Sequence, residues 1–193
     1  LENKYNYPIT DLNLGGGFGI KYTDEVVSLS EMLEKLAKRI DELVVNTSIK
    51  KVYIEPGRSI VGRSGMTLYT GSMIKNTYGG KKYLFVDGGM TDNIRPALYQ
   101  AKYEVINPVR LNGELIKVDV VGKCCESGDI VSKDTLISFE AGDPILVLST
   151  GAYGYTMASN YNKNTIPGVV FVKDGQDRVV VKPQTYDDML ANE

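Results

Sequence analysis

The most informative stretch of this sequence places a thiol beside a carboxylate, in Cys125–Asp129, which reads CESGD. Thiols and carboxylates are among the side chains that transfer protons in enzymes, so the segment is a candidate for acid–base chemistry. Its first residue directly follows Cys124, and an adjacent pair of cysteines is equally compatible with two small apolar residues in a core. The segment gains its meaning from four further motifs that accompany it in a fixed order.

A glycine-rich run, Leu14–Gly19 (LGGGFG), is the first of these motifs. It lacks the Gly-Lys-Ser/Thr ending of a nucleotide P-loop, and Gly19 falls one place short of the last glycine of a dinucleotide-binding fingerprint. Because glycine has no Cβ, the backbone amides of such a run can approach a ligand closely, and amides in this arrangement bind phosphate. A tight turn without any ligand explains the run equally well.

The second motif, Glu55–Arg58 (EPGR), follows a predicted parallel strand. In α/β barrels the carboxyl ends of the strands carry the active site, which makes Glu55 and Arg58 candidates for ligand binding. The alternative is a surface turn with an ordinary ion pair. The other two motifs are Asp87–Tyr99 (DGGMTDNIRPALY) and Gly151–Tyr155 (GAYGY).

A predicted βαβ unit positions the first two motifs. Residues 9–14 and 51–55 predict short strands on either side of an amphipathic helix, whose apolar residues recur at helical spacing between positions 29 and 44. Ser28 and Glu31 have capping-box spacing and predict the start of that helix. Two strands joined through a helix in this way are expected to be parallel.

Beyond Gly62 the sequence predicts a β-rich part. Gly79-Gly80 and Asp174-Gly175 each predict a hairpin between two strands. Strands are predicted at 66–77, 81–86, 103–105, 115–121, 135–139, 145–149, 168–173 and 178–182, with a short capped helix at 185–190. This spacing is typical of an antiparallel sandwich or barrel.

The predicted fold class is therefore α/β plus β. Residues 1–62 are interpreted as the C-terminal end of a (β/α)8 TIM-like barrel, and residues 63–193 as an antiparallel β-sandwich or barrel domain. A complete barrel of this kind needs roughly 250 residues, whereas about sixty precede the β-rich part. We therefore expect the rest of the barrel upstream of Leu1.

Composition excludes several classes of function. The formal net charge of −2 and the lack of a basic stripe argue against a nucleic-acid partner. The apolar runs are much shorter than the ~20 residues of a membrane-spanning helix. Two adjacent cysteines provide neither a disulfide framework nor zinc-ligand spacing, which fits a reducing cytoplasm and predicts no metal site. The chain has no histidine, so mechanisms that need a histidine base or metal ligand are closed to these residues alone.

The five ordered motifs resemble the C-terminal part of the diaminopimelate decarboxylases, which are pyridoxal 5'-phosphate (PLP) enzymes of the alanine-racemase-like fold. The resemblance spans nearly the whole chain. It implies PLP-dependent decarboxylation of meso-2,6-diaminopimelate to L-lysine, the final step of lysine biosynthesis, in a cytoplasmic homodimer with shared active sites. It also implies that the lysine that binds the cofactor, and a histidine stacked on its ring, lie upstream, so that this fragment alone should be inactive.

The resemblance further implies a role for each site residue. Cys125 corresponds to the proton donor, Glu55 to the partner of the pyridine nitrogen, and Glu126 to the residue that binds the distal amino group of the substrate. The implied cofactor-binding residues are Gly17, Glu55, Pro56, Gly57, Arg58 and Tyr153. The implied substrate-binding residues are Arg58, Arg95, Tyr99, Glu126 and Tyr153. Cys124 stands where the family usually has an apolar residue, and it is interpreted as a packing residue.

Two other functions remain as alternatives. An ornithine or arginine decarboxylase of the same fold would use the same cofactor, but Arg95–Tyr99 and Glu126 favour a substrate with a distal carboxylate and a distal amine. A non-catalytic homologue that acts as a binding protein would have no need of Cys125, Glu55 and Arg58, and all three are present.

Overall fold

The computed structural model describes residues 2–191 of the 193-residue chain, which divides into two compact units, Leu1–Arg63 and Ser64–Glu193. The predicted domain limits at Leu1 and Glu193 lie outside the described residues. Across the described range, no helix combines the length and the apolar character needed to cross a membrane.

The first unit contains the predicted βαβ arrangement. Its elements are helix α1 (Glu2–Tyr5), strand β1 (Asp11–Asn13), helix α2 (Leu29–Asn46), strand β2 (Lys51–Tyr53) and the short helix α3 (Gly57–Val61). The two strands pair in parallel, with Leu12 opposite Val52, which confirms the prediction. The described residues of this unit form a two-stranded sheet and no closed α/β barrel.

Helix α2 begins where the sequence predicts. Ser28 is the N-cap residue, and its hydroxyl accepts a hydrogen bond from the backbone N–H of Glu31 at 3.2 Å. Capping-box spacing also predicts that the Glu31 carboxylate accepts a hydrogen bond from the backbone N–H of Ser28, and this part of the prediction is wrong. That carboxylate instead accepts a hydrogen bond from Nζ of Lys35 at 2.7 Å, because residues four apart on a helix surface are neighbours.

The second unit is built on a six-stranded sheet. Its strands are β3 (Met66–Asn76), β4 (Lys82–Val86), β5 (Val105–Ile106), β6 (Ile116–Val121), β7 (Ile130–Ile137) and β8 (Pro144–Leu148). Their order in the sheet is β5-β8-β3-β4-β6-β7. The core contains the fully buried side chains of Leu84, Val120 and Ile145. The edge strands β5 and β7 approach each other, so the sheet curls toward a closed barrel.

One strand pair departs from the predicted antiparallel arrangement. Strands β4 and β6 pair in parallel, with Leu84 opposite Val120. The reason is the long connection between them, residues 87–115, which crosses back to the starting end of the sheet. This connection contains helix α4 (Arg95–Tyr99), so the Asp87–Tyr99 motif follows the carboxyl end of β4.

Several strand boundaries also differ from the prediction, and the start of β7 differs most. Strand β7 begins at Ile130 rather than Thr135, because register shifts in its pairing with β6 accommodate Asp134, whose φ is +54°. Strand β5 begins at Val105 rather than Tyr103. The side chain of Tyr103 is buried at 2% exposure, and its hydroxyl accepts a hydrogen bond from Nε of Arg95, the first residue of α4.

The remaining predicted elements are confirmed. Strands β9 (Val169–Lys173) and β10 (Gln176–Val181) form a separate antiparallel hairpin, and β3 and β4 form another. The turn residues Gly80 and Gly175 have φ of +76° and +75°, which hairpin turns favour. Helix α5 (Tyr186–Leu190) begins with a reciprocal capping box between Thr185 and Asp188.

Candidate functional site

The glycine-rich run of the first unit lies against Glu55. The backbone N–H of Glu55 donates to the carbonyl of Gly15 at 2.7 Å, and a Cβ on Gly16 would lie 2.3 Å from the carbonyl oxygen of Glu55. Gly15 and Gly17 have φ of +71° and +84°, a left-handed backbone that glycine adopts at no steric cost. Glycine is therefore required for this run to lie directly against the residues that follow β2.

Asn13 connects the two motifs through its side-chain amide. Its Nδ2 donates to Oε1 of Glu55 at 2.6 Å, and its Oδ1 accepts from the backbone N–H of Gly15 at 2.8 Å. Sequence reasoning missed this residue. The available signal is its position as the last residue of β1, because the carboxyl ends of two parallel strands meet at one edge. Asn13 thereby orients the carboxylate of Glu55.

Arg58 lies in α3, which begins at Gly57 directly after Pro56. Its guanidinium carbon is 5.8 Å from the centroid of the Tyr22 ring. Its Nε is buried and makes no hydrogen bond to another described residue. A buried donor of this kind is costly unless a partner binds it, so Arg58 retains hydrogen-bonding capacity for a ligand.

In the second unit Arg95 lies between two tyrosine rings. Its guanidinium carbon is 5.2 Å from the ring centroid of Tyr99 and 5.5 Å from that of Tyr153, distances at which cation–π attraction acts. Its Nε donates to the hydroxyl of Tyr103 at 3.1 Å. The structure thus brings together three predicted substrate-binding residues and adds Tyr103, which the sequence suggested only as a strand residue.

The two adjacent cysteines have opposite environments. Cys124 is buried at 1% exposure, as its interpretation as a packing residue predicts, whereas Cys125 is exposed. The left-handed backbone at Cys125, with φ of +52°, turns the chain between them. Burial, together with the nearby charge of Asp129, raises the pKa of Cys124, so this thiol stays protonated. Cys125 is therefore the thiol that solvent and ligands can reach.

Asp129 holds the cysteine loop against the segment that leads to α4. Its two carboxylate oxygens accept hydrogen bonds from the backbone N–H groups of Cys124 and Met90, each at 2.7 Å. A Cβ on Gly89 or Gly122 would lie within 2.4 Å of this carboxylate, so both positions require glycine. The sequence shows Asp129 as the end of the CESGD segment but gives it no role.

Glu126 has a partner that the sequence did not indicate. The hydroxyl of Tyr161 donates a hydrogen bond to Oε1 of Glu126. That hydrogen bond raises the pKa of Tyr161, because the neighbouring carboxylate disfavours a phenolate. Tyr161 lines a small cavity together with Met90, Ile94 and Ser159.

A family model for the C-terminal sheet domain of the pyridoxal-dependent decarboxylases matches residues 31–151. Among curated proteins, the diaminopimelate decarboxylase of Bacillus subtilis (strain 168) is 47% identical over 195 residues, covering 98% of this chain and 44% of that protein. The enzyme of the same name from Staphylococcus aureus (strain COL) is 45% identical, covering 94% of this chain and 45% of that protein. The chain thus spans less than half the length of these curated relatives.

Two solved structures are also similar. The diaminopimelate decarboxylase of M. jannaschii in co-complex with L-lysine superposes with a TM-score of 0.90 at 30% identity, over 100% of this chain and 44% of that chain. The Helicobacter pylori enzyme complexed with L-lysine gives a TM-score of 0.83 at 31% identity, over 98% of this chain and 46% of that chain.

Proposed function

The chain belongs to the pyridoxal-dependent decarboxylases, and we propose that it forms the C-terminal portion of an enzyme that converts meso-2,6-diaminopimelate to L-lysine and carbon dioxide. Its curated relatives carry the name of that activity, and two similar solved structures contain L-lysine. Because the chain covers 44% of the first of these relatives, the activity is assigned to the longer protein that would contain it.

The setting of Arg95 is the observation that carries this proposal. The hydrogen bond to Tyr103 and the ring contacts with Tyr99 and Tyr153 hold the guanidinium in one orientation. A guanidinium held in this way binds a carboxylate through two parallel hydrogen bonds. Diaminopimelate has a carboxylate at the end that does not react, whereas ornithine and arginine have none. The arrangement therefore favours diaminopimelate as the substrate.

The residues of the first unit fit PLP. The carboxylate of Glu55, oriented by Asn13, suits a protonated ring nitrogen. The glycine-rich run and the buried Nε of Arg58 suit the phosphate. When bound, the cofactor supplies an acceptor for the electrons of the broken carbon–carboxylate bond. We assign cofactor binding to Gly17, Glu55, Pro56, Gly57 and Arg58 of this unit and to Tyr153 of the second unit. The lysine that attaches the cofactor is assigned to the upstream part of the longer protein.

Cys125 and Glu126 complete the proposed site. Cys125, the exposed thiol, gives its proton to the substrate carbon that has lost its carboxylate. Glu126 binds the distal amino group, next to the distal carboxylate that Arg95 and Tyr99 bind. Arg58 completes the contacts to the substrate. These roles need no histidine from the chain, which has none.

Three further features belong to the same proposal. The first unit forms the last part of a (β/α)8 barrel whose other strands lie upstream. The protein is a homodimer in which Cys125 and Glu126 of one subunit serve the partner's cofactor site. The free thiols of Cys124 and Cys125 fit a cytoplasmic location, since that compartment keeps thiols reduced.

Product analysis with the full-length protein tests the function. Purified protein with PLP should release carbon dioxide and L-lysine from meso-diaminopimelate, while L-ornithine and L-arginine should give no diamine or agmatine above a cofactor-only control. Preferred turnover of ornithine or arginine would reassign the substrate. A lack of turnover on all three, with PLP demonstrably bound, would favour a non-catalytic binding protein.

A further inference from the structure

Tyr161 is held in place by contacts that do not involve Glu126. Its backbone carbonyl accepts a hydrogen bond from Nδ2 of Asn164 at 3.0 Å, and the residue lines the small cavity beside Met90 and Ile94. Ser159, two residues before Tyr161, donates a hydrogen bond from its backbone N–H to the carbonyl of Thr91 at 2.9 Å. The backbone on this side of Tyr161 is therefore attached to the segment that leads to Arg95.

The residue after Tyr161 ties the same turn to the cysteine loop. Nδ2 of Asn162 donates to the carbonyl oxygen of Cys124 at 2.6 Å, and Asn162 has φ of +54°, a left-handed backbone that asparagine tolerates better than most residues. Nδ2 of Asn164 lies 3.8 Å from Sγ of Cys124. The hydroxyl of Tyr161 thus reaches Glu126 from a turn already bonded to the loop that carries Glu126.

We propose that Tyr161 is a positioning residue for Glu126: it holds one carboxylate oxygen and thereby fixes the direction in which Glu126 presents the other to the distal amino group of the substrate. This inference rests on the proposed function. A carboxylate on a flexible side chain loses rotamer freedom when it binds an amine, and a hydrogen bond formed beforehand removes part of that cost. Tyr161 would thereby contribute to selection of substrates that carry a distal amine.

The hydrogen bond also keeps Glu126 available to a cation. The carboxylate accepts from Tyr161 without receiving a proton from it, because the pKa of the phenol is raised by this contact. A carboxylate with one oxygen bonded to a neutral donor has its other oxygen left for an ammonium group.

The test compares two substrates in the full-length holoenzyme. Meso-diaminopimelate carries the distal amine, and 2-aminopimelate has the same carbon chain and distal carboxylate but lacks that amine. Tyr161→Phe removes only the hydroxyl. Tyr186→Phe is the control, because Tyr186 is also an exposed tyrosine of the second unit, at 67% against 44% for Tyr161, and lies in α5, outside the five motifs.

Tyr161→Phe should lower kcat/KM for diaminopimelate about tenfold, mainly through KM, which is the size expected for one hydrogen bond to a charged group. In the same variant, the value for 2-aminopimelate, or its inhibition constant if it is not turned over, should stay within about twofold. In Tyr186→Phe the values for both compounds should stay within about twofold. In a Glu126→Ala background, Tyr161→Phe should have no further effect, since the group that it positions is gone.

Equal losses on both compounds in Tyr161→Phe would show a general structural role and overturn the proposal. So would unchanged kinetics, or effects of Tyr161→Phe and Glu126→Ala that simply add. Equal melting temperatures of Tyr161→Phe and the unmodified protein would separate positioning from stability. If the unmodified protein does not decarboxylate diaminopimelate, the proposed function fails, and that result precedes any comparison of variants.

Discussion

The carboxylate of Asp129 accepts a 2.7 Å hydrogen bond from the backbone N–H of Cys124, the residue immediately before the exposed thiol. The second oxygen of the same carboxylate accepts from Met90, in the segment that leads to Arg95. Asp129 is buried at 3% exposure, so both bonds are protected from water. One side chain therefore connects the loop that carries Cys125 to the segment that carries Arg95, the arginine proposed to bind the substrate carboxylate.

Asp129→Asn should destabilise the protein by about 2 kcal/mol, because an amide nitrogen would face one of two backbone N–H groups and leave a buried donor unpaired. Urea denaturation followed by circular dichroism measures this change. Asp177→Asn, at an exposed position of β10, is the control and should change the unfolding free energy by less than about 0.5 kcal/mol. A matching small effect of Asp129→Asn would mean that the loop does not depend on its carboxylate.

Cys125→Ala and Cys124→Ala should separate chemistry from packing. Loss of a proton donor typically lowers turnover about 100- to 10,000-fold, so the first variant should lose most of its kcat with little change in melting temperature. The second removes a buried thiol that packs against Thr91 and should lower stability by about 1 kcal/mol while leaving kcat within a few-fold. Similar, mild effects on kcat from both variants would return the pair to a purely structural role.

Arg95→Lys should weaken substrate binding without loss of PLP. A lysine keeps the positive charge but cannot form two parallel hydrogen bonds, nor the Nε bond to Tyr103, so kcat/KM should fall by the equivalent of about 1–3 kcal/mol. The absorbance of bound PLP is the control measurement and should not change. Kinetics equal to those of the unmodified enzyme would place Arg95 outside the site.

Local elements were predictable from the sequence because their signals are short-range. The helix cap at Ser28, the capping box at Thr185 and the two glycine-containing hairpins each depend on residues a few positions apart. The parallel pairing of β4 with β6 was missed because it depends on how a long connection crosses the sheet. Hydrophobic alternation within a strand is the same for either direction of pairing.

The site divides in the same way. Glu55, Arg95, Cys125 and Glu126 stand within motifs that are visible in the sequence. Two residues whose side chains bond to them are distant in sequence: Tyr161 lies 35 residues from Glu126, and Asn13 lies 42 residues from Glu55. Tyrosine and asparagine are common residue types, so nothing in a single sequence distinguishes these two from others. Only the fold identifies them.

The stability of the second unit should fall in acid partly through Asp143. The backbone N–H of Glu140, together with Arg110 and Asn107, lowers the pKa of this carboxyl from its ordinary value of 3.8. As the pH falls, the unfolded chain therefore takes up the Asp143 proton at a higher pH than the folded chain does. The stabilisation by ionised Asp143 is complete above pH 3.8 and is lost as the pH falls through the lower pKa of the folded state.

Asp143→Asn should thus reduce the urea midpoint at pH 7, and its difference from the unmodified protein should shrink steadily as the pH is lowered below 3.8. The control variant Asp177→Asn should show no such convergence. If Asp143→Asn lowers the urea midpoint by the same amount at neutral and at acid pH, the effect of the substitution would come from altered packing or hydrogen bonding rather than from loss of the charge.

The proposed homodimer predicts that two inactive variants of the full-length enzyme restore activity when mixed. If Cys125 of one subunit serves the site that contains Glu55 of the partner, a dimer of Cys125→Ala with Glu55→Ala has one site with both changes and one with neither. Random exchange makes half of the dimers mixed, each with one intact site of two, so up to about a quarter of the unmodified activity should return. The measurement is lysine formation after subunit exchange. Exchange is verified by mixing tagged with untagged subunits and separating the mixed dimers by size. Activity no higher than the two parents combined, with exchange verified, would mean that each site is built within one chain.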